Sequence, residues 1–492
     1  MEPRDQTHLT SRAVLSHIGW SALRSWGERF TTLAVFIILT RLLAPDQIGA
    51  LAFLMAIIGV FQVAADGALS EWLVRCADST RLQQVTIFTL QGLIGIGLAL
   101  AIAISGLWWA PAAIGRTDAA TINAVLTLAI PLGALTKVPE AILRRRFGFK
   151  QLAYRSFAVF AVGGAVGIGC ALAGLGIWSL VIKQVLETAG ALFFTLLAAR
   201  WRPGIGFAFG RIKEAIRYAL AVFGSWIFEA VSLRADSLIV GAVLGTSALG
   251  FYSIALRIFQ VMIELFIAVI SRVSISHFAE LARRSSDELS AFYVRMYEGS
   301  TRLFAPMIAV FAAVAPLIVP LVFGAKWAAA AAPLQALCFI PLCTTAVCLA
   351  YPTVLATGKP EYAMHLNIVA AIVTVVGATV GAAFGLTGAA IGVASRMLVV
   401  TPMAFFLVSR VAKVSVRQHV LSAGPAVLEA GAGLAVALVI GVVVASWPPL
   451  MRLMVEGIGG LAAAYGVLWL VLGAAARAHM IGTIRRLAGG GA

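Results

Sequence analysis

The sequence has few charged residues and few of the groups from which soluble active sites are built. Asp, Glu, Lys and Arg make up 12% of its 492 residues, against 61% hydrophobic residues and a mean hydropathy of +0.97. This composition excludes an ordinary water-soluble globular protein. The phosphate-binding pattern GxxxxGK[ST] is absent, and the six histidines show no metal-ligand spacing. We therefore expect neither an enzyme nor a bound cofactor.

The sequence also lacks a cysteine framework and a signal peptide. No two of its five cysteines form a CxxC pair, and four of them lie in apolar stretches, where a thiol behaves as a small hydrophobe. The first nineteen residues have no apolar core or small-residue cleavage site. We expect no disulfide or metal centre, and an N-terminus that stays in the cytoplasm.

Long apolar runs are abundant. One bilayer crossing takes about 20 mainly apolar residues, so the length suits about fourteen helices joined by short loops. The fold class predicted is therefore an all-α polytopic membrane protein. The runs lie near 22–43, 48–72, 84–109, 119–142, 152–173, 175–199, 216–244, 247–271, 297–322, 330–356, 362–384, 386–409, 422–446 and 453–475.

The net charge of +16 could indicate nucleic acid as a partner, but the positions of the cations favour membrane topology instead. If the N-terminus lies inside, nearly all loop cations fall on the cytoplasmic side, and only Arg116, Lys326 and Arg452 fall outside. By the positive-inside rule, both termini then lie in the cytoplasm. The predicted location is the bacterial inner membrane, with no nucleic acid bound.

Two halves of the chain resemble each other. RLLAPDQIGALAFLMAIIGVF, after the first helix, matches AVLGTSALGFYSIALRIFQVM, after the seventh, with Gly49 opposite Gly250 and Glu28 opposite Glu229. Similar composition alone is the alternative explanation. A repeat predicts two six-helix lobes around a central cavity. The predicted segments are a cytoplasmic N-terminal segment (1–20), an N-lobe (21–200), a C-lobe (201–411), and a last helix pair with a cytoplasmic tail (412–492).

Several segments resemble the Wzx-type polysaccharide flippases of the multidrug/oligosaccharidyl-lipid/polysaccharide (MOP) transporter superfamily. They are RLLAPDQIG, AILRRRFGFKQLAYRS, GLGIWSLV, RADSLIVGAVLGTSALGFYSIALR and PLIVPLVFGAKWAAAAAPLQ, and the similarity runs from about Leu42 to about Arg410. The resemblance implies transport of an undecaprenyl-diphosphate-linked oligosaccharide across the inner membrane by alternating access, for exopolysaccharide, capsule or O-antigen synthesis. It also implies contact with membrane lipids and makes a polysaccharide polymerase or co-polymerase a candidate partner.

Ionisable side chains in apolar helices are costly, so each is a functional hypothesis. Helix seven carries a polar stripe of Ser225, Glu229, Ser232 and Asp236, and helix eight one of Ser253, Arg257, Gln260 and Glu264. Such faces suit a cavity wall. An ion pair of Asp236 with Arg257 that only fixes packing is the alternative, and Lys183 with Glu187 is expected to pair within one helix.

Residue chemistry then suggests two roles. Guanidinium groups bind phosphate oxygens bidentately, so a diphosphate headgroup calls for arginine. Carboxylates could exchange a proton or a sodium ion and so couple transport to a gradient. The substrate-binding candidates are Arg24, Arg234, Arg257, Arg396 and Gln260. The ion-coupling candidates are Asp236, Glu229, Glu264, Asp66 and Glu28. Arg24 could instead extend to the membrane surface.

Three further expectations concern shape and competing functions. Pro131 and Pro341, among other prolines in apolar runs, can kink their helices, and Tyr252 and Trp327 are expected at the membrane surface. A cation-coupled multidrug exporter of the same fold is the main alternative function, and it would be lined by acids and aromatic residues. A non-transporting scaffold would not need polar stripes in mid-membrane.

The cation asymmetry predicts that both termini and the 272–302 loop face the cytoplasm. Single cysteines placed near Arg283 or Arg485 should therefore resist an impermeant thiol reagent in intact cells and react after permeabilisation. Reaction of either cysteine in intact cells would show that the predicted topology is wrong.

Overall fold

The computed structural model describes the backbone of residues 30–66, 69–76, 79–146, 148–204, 206, 209–357 and 360–471. Within these residues the regular structure is helical, and none of them forms a strand. A helix satisfies its own backbone hydrogen bonds, which is what a chain that crosses lipid requires. The described chain divides into two compact units, residues Met1–Gly250 and Phe251–Ala492. The predicted lobe boundaries remain a prediction.

Unit 1 contains eight helices and the first part of a ninth. They are α1 (Phe30–Leu42), α2 (Pro45–Asp66), α3 (Leu69–Arg75), α4 (Arg81–Ile114), α5 (Ala119–Thr127), α6 (Ala129–Arg145), α7 (Phe149–Leu172), α8 (Ile177–Ala199) and α9 (Phe209–Arg284). Helix α9 is interrupted at Gly245, whose φ of 85° and ψ of 174° are not helical. Helix α2 packs against α4, α5, α6 and α8, and α6 packs against these helices and also against α3 and α7.

Unit 2 contains the rest of α9 and eight more helices. They are α10 (Ser286–Phe323), α11 (Ala331–Leu337), α12 (Phe339–Ala356), α13 (Pro360–Ala382), α14 (Gly385–Ala394), α15 (Arg396–Ala412), α16 (Val416–Val443) and α17 (Pro449–Val471), with a 3₁₀ turn at Ala325–Ala330. Helix α10 packs against α12, α16 and α17.

The membrane-spanning character is confirmed. Twelve helical stretches of the described residues are long and apolar enough to cross a bilayer. The shorter apolar helix Phe30–Leu42 begins where the described residues begin, and the stretch Ala230–Glu264 contains two helices that meet at Gly245. The structure is therefore that of an all-α polytopic membrane protein, and it is roughly consistent with the predicted fourteen helices.

Local sequence explains where helices begin and break. Thr80 and Gln83 form a capping box at the start of α4, with each side chain accepting from the other's backbone N–H. Helices α5 and α6 are separated at Leu128, and α11 and α12 at Cys338. A proline follows each break by three residues, Pro131 or Pro341, and it has no N–H to donate to the preceding turn. The expected kinks are thus present at both prolines.

An ion pair closes the turn between α4 and α5. Arg116 donates from Nε and Nη2 to the two carboxylate oxygens of Asp118, at 2.9 and 3.1 Å. This contact lowers the pKa of the Asp118 carboxyl below its usual value, because the hydrogen bonds and charge of Arg116 favour the ionised form. Asp118 therefore offsets the charge of Arg116, one of the three cations predicted outside.

Two aromatic residues expected at the membrane surface are buried instead. Tyr252 and Trp327 have no exposed surface, and the Trp327 ring packs edge-on against Phe251 at 5.8 Å between centroids. The reason is that the 3₁₀ turn after α10 directs Trp327 inward while the neighbouring Lys326 stays exposed. Neither ring therefore faces lipid, as an aromatic anchor at the membrane surface would.

The glycines aligned by the repeat lie at a reciprocal close approach in unit 1. A Cβ on Gly49 would come 1.7 Å from the carbonyl oxygen of Thr246, and one on Gly250 would come 2.0 Å from that of Pro45. Pro45 and Thr246 correspond under the same offset. Each glycine therefore approaches the carbonyl group that lies four residues before the other glycine. Only a residue without Cβ fits either position.

This contact predicts a strong effect of one methyl group. Gly49→Ala should lower the melting temperature of the purified protein in detergent, because the clash is with backbone and costs about 1–3 kcal/mol or more. Gly97→Ala is the matched control, since a Cβ on Gly97 in α4 meets nothing within 4 Å. That variant should be neutral or slightly stabilised. Equal melting temperatures for the two variants would contradict the contact.

Candidate functional site

Unit 1 contains a polar cavity of about 480 Å³, here called the unit 1 cavity. Its walls come from α2, α6, α7, α8 and the first part of α9. Charged groups inside a bilayer are expected to pair or to face such a space. The ionisable side chains in its lining are Asp66, Lys137, Glu140, Arg155, Glu187 and Arg234.

The cavity extends along α2 toward one end of the unit. Its lining runs from Met55 to Asp66, a helical rise of about 16 Å. A smaller space of about 280 Å³, lined by Glu71 and Arg144, shares Asp66 and its neighbours on α6 with the cavity. In the predicted topology this end faces the cytoplasm, so the cavity would be accessible from that side.

Asp66 is held by contacts from its own helix and from α6. Lys137 Nζ lies 3.0 Å from Asp66 Oδ2, and Gln62 Nε2 donates to Oδ1 at 2.8 Å. Gln62 also donates to the carbonyl of Ile130 at 3.3 Å. It fits there because Gly133 has no side chain: a Cβ would lie 2.3 Å from Gln62 Nε2. Asp66, a predicted ion-coupling residue, is therefore one half of an ion pair in the cavity wall.

Glu140 joins two arginines. Arg144 Nη2 donates to Glu140 at 2.9 Å, and Arg155 Nη1 lies 3.5 Å from its other oxygen. Arg155 also donates to Thr195 Oγ1 at 3.0 Å, while Arg144 reaches Glu71 at 3.2 Å. The carboxylate of Glu140 therefore links α6 to α7 where the unit 1 cavity meets the smaller space.

Glu187 pairs with Lys183 on the same helix, as the sequence predicted. Lys183 Nζ lies 2.8 Å from Glu187 Oε1. The Glu187 side chain lies against α7 at Gly163, where a Cβ would come 2.4 Å from Glu187 Cγ. Each of the three acids in the cavity lining thus has a cationic partner.

Arg234 differs from the other cations of the cavity. The structure gives it no ion pair or hydrogen bond with any residue among those described, and its side chain is exposed to the cavity. Its guanidinium lies against α2, with Nε 3.3 Å from the position of a Cβ on Gly59. A guanidinium with free donors in a polar cavity is suited to bind an anion bidentately. Of the predicted substrate-binding arginines that the structure describes, Arg234 is the one that lines the unit 1 cavity.

The other predicted site residues of unit 1 are not among the described residues that line the unit 1 cavity. Asp236 is buried, and its Oδ1 accepts hydrogen bonds from Ser237 N at 2.7 Å and Ser237 Oγ at 3.3 Å. Arg24 and Glu28 lie outside the described residues, and so does the side chain of Glu229. Their predicted roles stay predictions.

In unit 2 the predicted residues belong to two separate elements. On α9, Arg257 is half-buried, Glu264 is the carboxylate whose charge acts on it, and Gln260 is exposed. Arg396 begins α15, directly after the break at Ser395. None of these residues lines the apolar cavity described below for this unit, and their predicted roles also stay predictions.

Sequence reasoning missed three charged residues of the unit 1 cavity: Lys137, Glu140 and Arg155. None of the three had a predicted role in binding or coupling. The signal was present, because Lys137 and Glu140 fall inside the predicted span 119–142 and Arg155 inside 152–173. The rule that an ionisable residue within a span is functional or paired would have found all three.

Comparison with known proteins identifies the family. Residues 38–332 match the family described as "Polysaccharide biosynthesis protein". The chain belongs to this family. It is 24% identical to the succinoglycan biosynthesis transport protein ExoT of Rhizobium meliloti (strain 1021), over 65% of this chain and 64% of ExoT. The match thus spans slightly less than two thirds of that relative. It is also 20% identical to the lipopolysaccharide biosynthesis protein WzxC of Escherichia coli (strain K12), over 83% of this chain and 84% of WzxC.

Solved structures share the fold. The lipid II flippase MurJ, in an inward closed conformation, matches with a TM-score of 0.69 at 11% identity, over 92% of this chain and 98% of MurJ. An inward-facing multidrug resistance MATE transporter of the MOP superfamily matches with a TM-score of 0.58 at 16% identity, over 80% and 98%. The fold therefore fits both a flippase and a drug exporter. These comparisons confirm the predicted relationship to polysaccharide biosynthesis proteins, of which ExoT is named a transport protein, and the solved structures show a fold shared with MurJ and with a MATE transporter of the MOP superfamily.

The position of Glu140 predicts a large difference between two conservative substitutions. Glu140→Gln leaves Arg155, only 11% exposed, without its carboxylate, and breaking a buried pair costs about 3–5 kcal/mol. Glu71→Gln removes a contact of Arg144 where both side chains are well exposed, which is worth under about 1 kcal/mol. Melting temperatures in detergent should therefore fall markedly for Glu140→Gln only. Similar values for both variants would show that Glu140 is not a buried tie.

Proposed function

We propose that the protein is a flippase that carries an undecaprenyl-diphosphate-linked oligosaccharide repeat unit across the bacterial inner membrane. It takes the substrate from the cytoplasmic leaflet and releases it to the periplasmic leaflet by alternating access, for exopolysaccharide, capsule or O-antigen synthesis. Support comes from membership of the polysaccharide biosynthesis family and from the names of ExoT and WzxC. The fold shared with MurJ, named a lipid II flippase, agrees with it.

The observation that carries this proposal is the guanidinium of Arg234 in the unit 1 cavity, which has no ion-pair or hydrogen-bond partner among the described residues. The acids of the lining are paired with Lys137, Lys183 and the arginines at Glu140, so among the described residues none of these acids pairs with Arg234. A diphosphate offers the concentrated negative charge and paired oxygens that a guanidinium binds. The uncharged polar groups in the lining, such as Gln184 and Thr188, can hydrogen-bond sugar hydroxyls.

The same cavity makes a cation-coupled multidrug exporter the weaker candidate. An organic cation is best bound by free carboxylates and aromatic faces. Among the described residues of this lining, Phe160 is the aromatic one, and the carboxylates already have cationic partners. A cationic drug would also be repelled by Arg234. The likeness to a MATE transporter supports the shared fold without favouring its substrates.

The proposal includes topology, energy source and partners. Both termini lie in the cytoplasm, on the cation distribution of the loops. Transport is driven by a proton or sodium gradient, without a bound cofactor. A polysaccharide polymerase or co-polymerase receives the product at the periplasmic face. Each of these points follows from the sequence and the family resemblance.

Arg234 provides the test. In proteoliposomes that contain an undecaprenyl-diphosphate-linked oligosaccharide, Arg234→Ala should slow transport about 10- to 100-fold, because hydrogen bonds to a charged group contribute about 1.5–3 kcal/mol. Arg234→Lys should recover part of the rate, since lysine keeps the charge and loses the planar fork.

Arg217→Ala is the control for this experiment. Arg217 is an exposed cation on the same helix that does not line the unit 1 cavity, so its removal should leave transport unchanged. Wild-type rates for Arg234→Ala would remove this residue from the substrate path and the main support for the proposal.

A further inference from the structure

Unit 2 contains a buried acid to which the proposed function assigns no role. Glu429, in the middle of α16, has no exposed surface, and neither of its carboxylate oxygens has a hydrogen-bond partner among the described residues. The cation that faces it is Arg302 on α10, with Nε 4.0 Å from Glu429 Oε1. Within the described chain, Arg302 Nε also lacks a hydrogen-bond partner. The two charges are therefore close, but neither is satisfied by the other.

Tight packing keeps water away from Glu429. One turn along α16, Gly433 meets Gly460 of α17 and Val310 of α10: a Cβ on Gly433 would lie 3.0 Å from the Gly460 carbonyl oxygen and 3.1 Å from Val310 Cγ2. Three helices thus approach each other closely on that side, and Glu429 has no surface accessible to water. The carboxylate lies in a dry, low-dielectric environment.

The polar groups on α10 and α17 near Glu429 are engaged elsewhere. Tyr465 of α17 donates its hydroxyl hydrogen to the carbonyl of Leu303 at 2.8 Å. Glu298 of α10 accepts from Ser422, almost two turns before Glu429 on α16, at 2.7 Å. Arg302 is thus the charged group that acts directly on Glu429.

Helix α15 adds no charge to this environment. The residues that it contributes to the cavity beside α16 are Thr401 and Phe405. On α17, the nearest carboxylate, Glu456, is held by Arg452 of its own helix at 2.5 Å. The charge state of Glu429 therefore depends on burial and on Arg302.

These two influences oppose each other. Removal from water disfavours the ionised carboxylate, while a nearby guanidinium favours it. A strong Arg–carboxylate pair makes two parallel hydrogen bonds at about 2.7–2.9 Å, but here a single contact at 4.0 Å has formed. Because the pair is incomplete, uptake of a proton by Glu429 removes one buried charge at the loss of only a weak contact.

A proton suits this position better than a sodium ion. A hard metal cation needs several oxygen ligands, and it would be repelled by Arg302. In the described part of the chain, no group of three or more His, Cys, Asp or Glu side chains could hold a metal ion. A proton needs only one carboxylate oxygen.

A second cavity lies beside Glu429 along α16. It has a volume of about 510 Å³ and lies between α10, α12, α15 and α16. Ala426 and Ala430, the neighbours of Glu429 three residues before and one residue after it, line this space, as does Thr301 next to Arg302. Residues that flank Glu429 and Arg302 in the sequence therefore line a cavity, and a conformational change that exposes Glu429 to it would let a proton reach the acid.

We propose that Glu429 is the proton-binding site that couples a pH gradient to transport. Protonation of one carboxylate oxygen neutralises Glu429 and releases Arg302, which loosens the contact between α10 and α16; loss of the proton restores the attraction. No covalent bond other than O–H forms or breaks. The inference rests on the proposed transport function and adds its coupling residue, in place of the carboxylates suggested by the sequence.

The test compares transport with and without an imposed pH gradient. In proteoliposomes loaded with an undecaprenyl-diphosphate-linked oligosaccharide, the gradient should accelerate the wild-type protein several-fold. Glu429→Gln keeps the shape of the side chain and cannot take up a proton, so its slower rate should be the same with and without the gradient. Acceleration of Glu429→Gln to the wild-type extent would overturn the proposal.

Glu456→Gln is the matched control. Glu456 is also a buried glutamate of unit 2, but Arg452 holds it in a short ion pair, so it has a satisfied charge. This variant should keep the response to the gradient. Loss of the response in both variants would show that any buried acid near α16 has this effect, which would also overturn the assignment to Glu429.

A second measurement separates the proton site from the transport function. Infrared difference spectra of the reconstituted protein, between acid and neutral pH and without substrate, should contain a protonated-carboxyl band that is absent in Glu429→Gln. If this band behaves as expected while the wild type moves no oligosaccharide, the proposed substrate is wrong and the proton site stands. If Glu429→Gln does not insert, Glu429→Asp should shift the band, and an unshifted band would overturn the proposal.

Discussion

Lipid offers no hydrogen bonds, and this constraint determines where the charges of the protein lie. Each backbone polar group in a span is satisfied within a helix, and each charged side chain needs a partner or a polar cavity. In unit 1, Asp66, Glu140 and Glu187 meet lysine or arginine within 3.5 Å. Glycines on the facing helices make room for these long side chains, as Gly133 does for Gln62. The packing of the helices and the pairing of charges therefore depend on each other.

Arg234 is the exception to this pairing among the described residues of the unit 1 cavity, and it makes the cavity suited to bind an anion. When the acids of the lining are paired, their charge is no longer available to offset Arg234. An unmatched guanidinium is costly in a dry site, so it persists where water or a ligand can reach it. A substrate with a diphosphate group replaces that water with two negatively charged groups. The same residue would exclude a cationic substrate, which is why the cavity favours a flippase although the fold is shared with drug exporters.

The fold could be predicted from the sequence to a large extent, and the site only in part. Apolar runs of span length predict helices because lipid permits little else, and the aligned glycines Gly49 and Gly250 marked a real close approach. Membership of Asp66 and Arg234 in one cavity could not be predicted, since it depends on how α2, α6 and α9 pack. The burial of Trp327 was not predicted, because the preference of aromatic residues for the membrane surface is only statistical. In the structure this side chain packs inward from the 3₁₀ turn.

The pairing of the acids in the unit 1 cavity also favours a proposed proton site that lies outside the proposed substrate site. An acid in the unit 1 cavity that took up a proton would release its cationic partner, as Asp66 would release Lys137, and would change the charge that the substrate meets. Coupling at that position would therefore compete with binding. Glu429 does not line that cavity, and its protonation would alter a contact between α10 and α16 within unit 2. A buried acid with an incomplete partner is tolerated in a span when its charge can be removed, and that property is what a proton-coupled step requires.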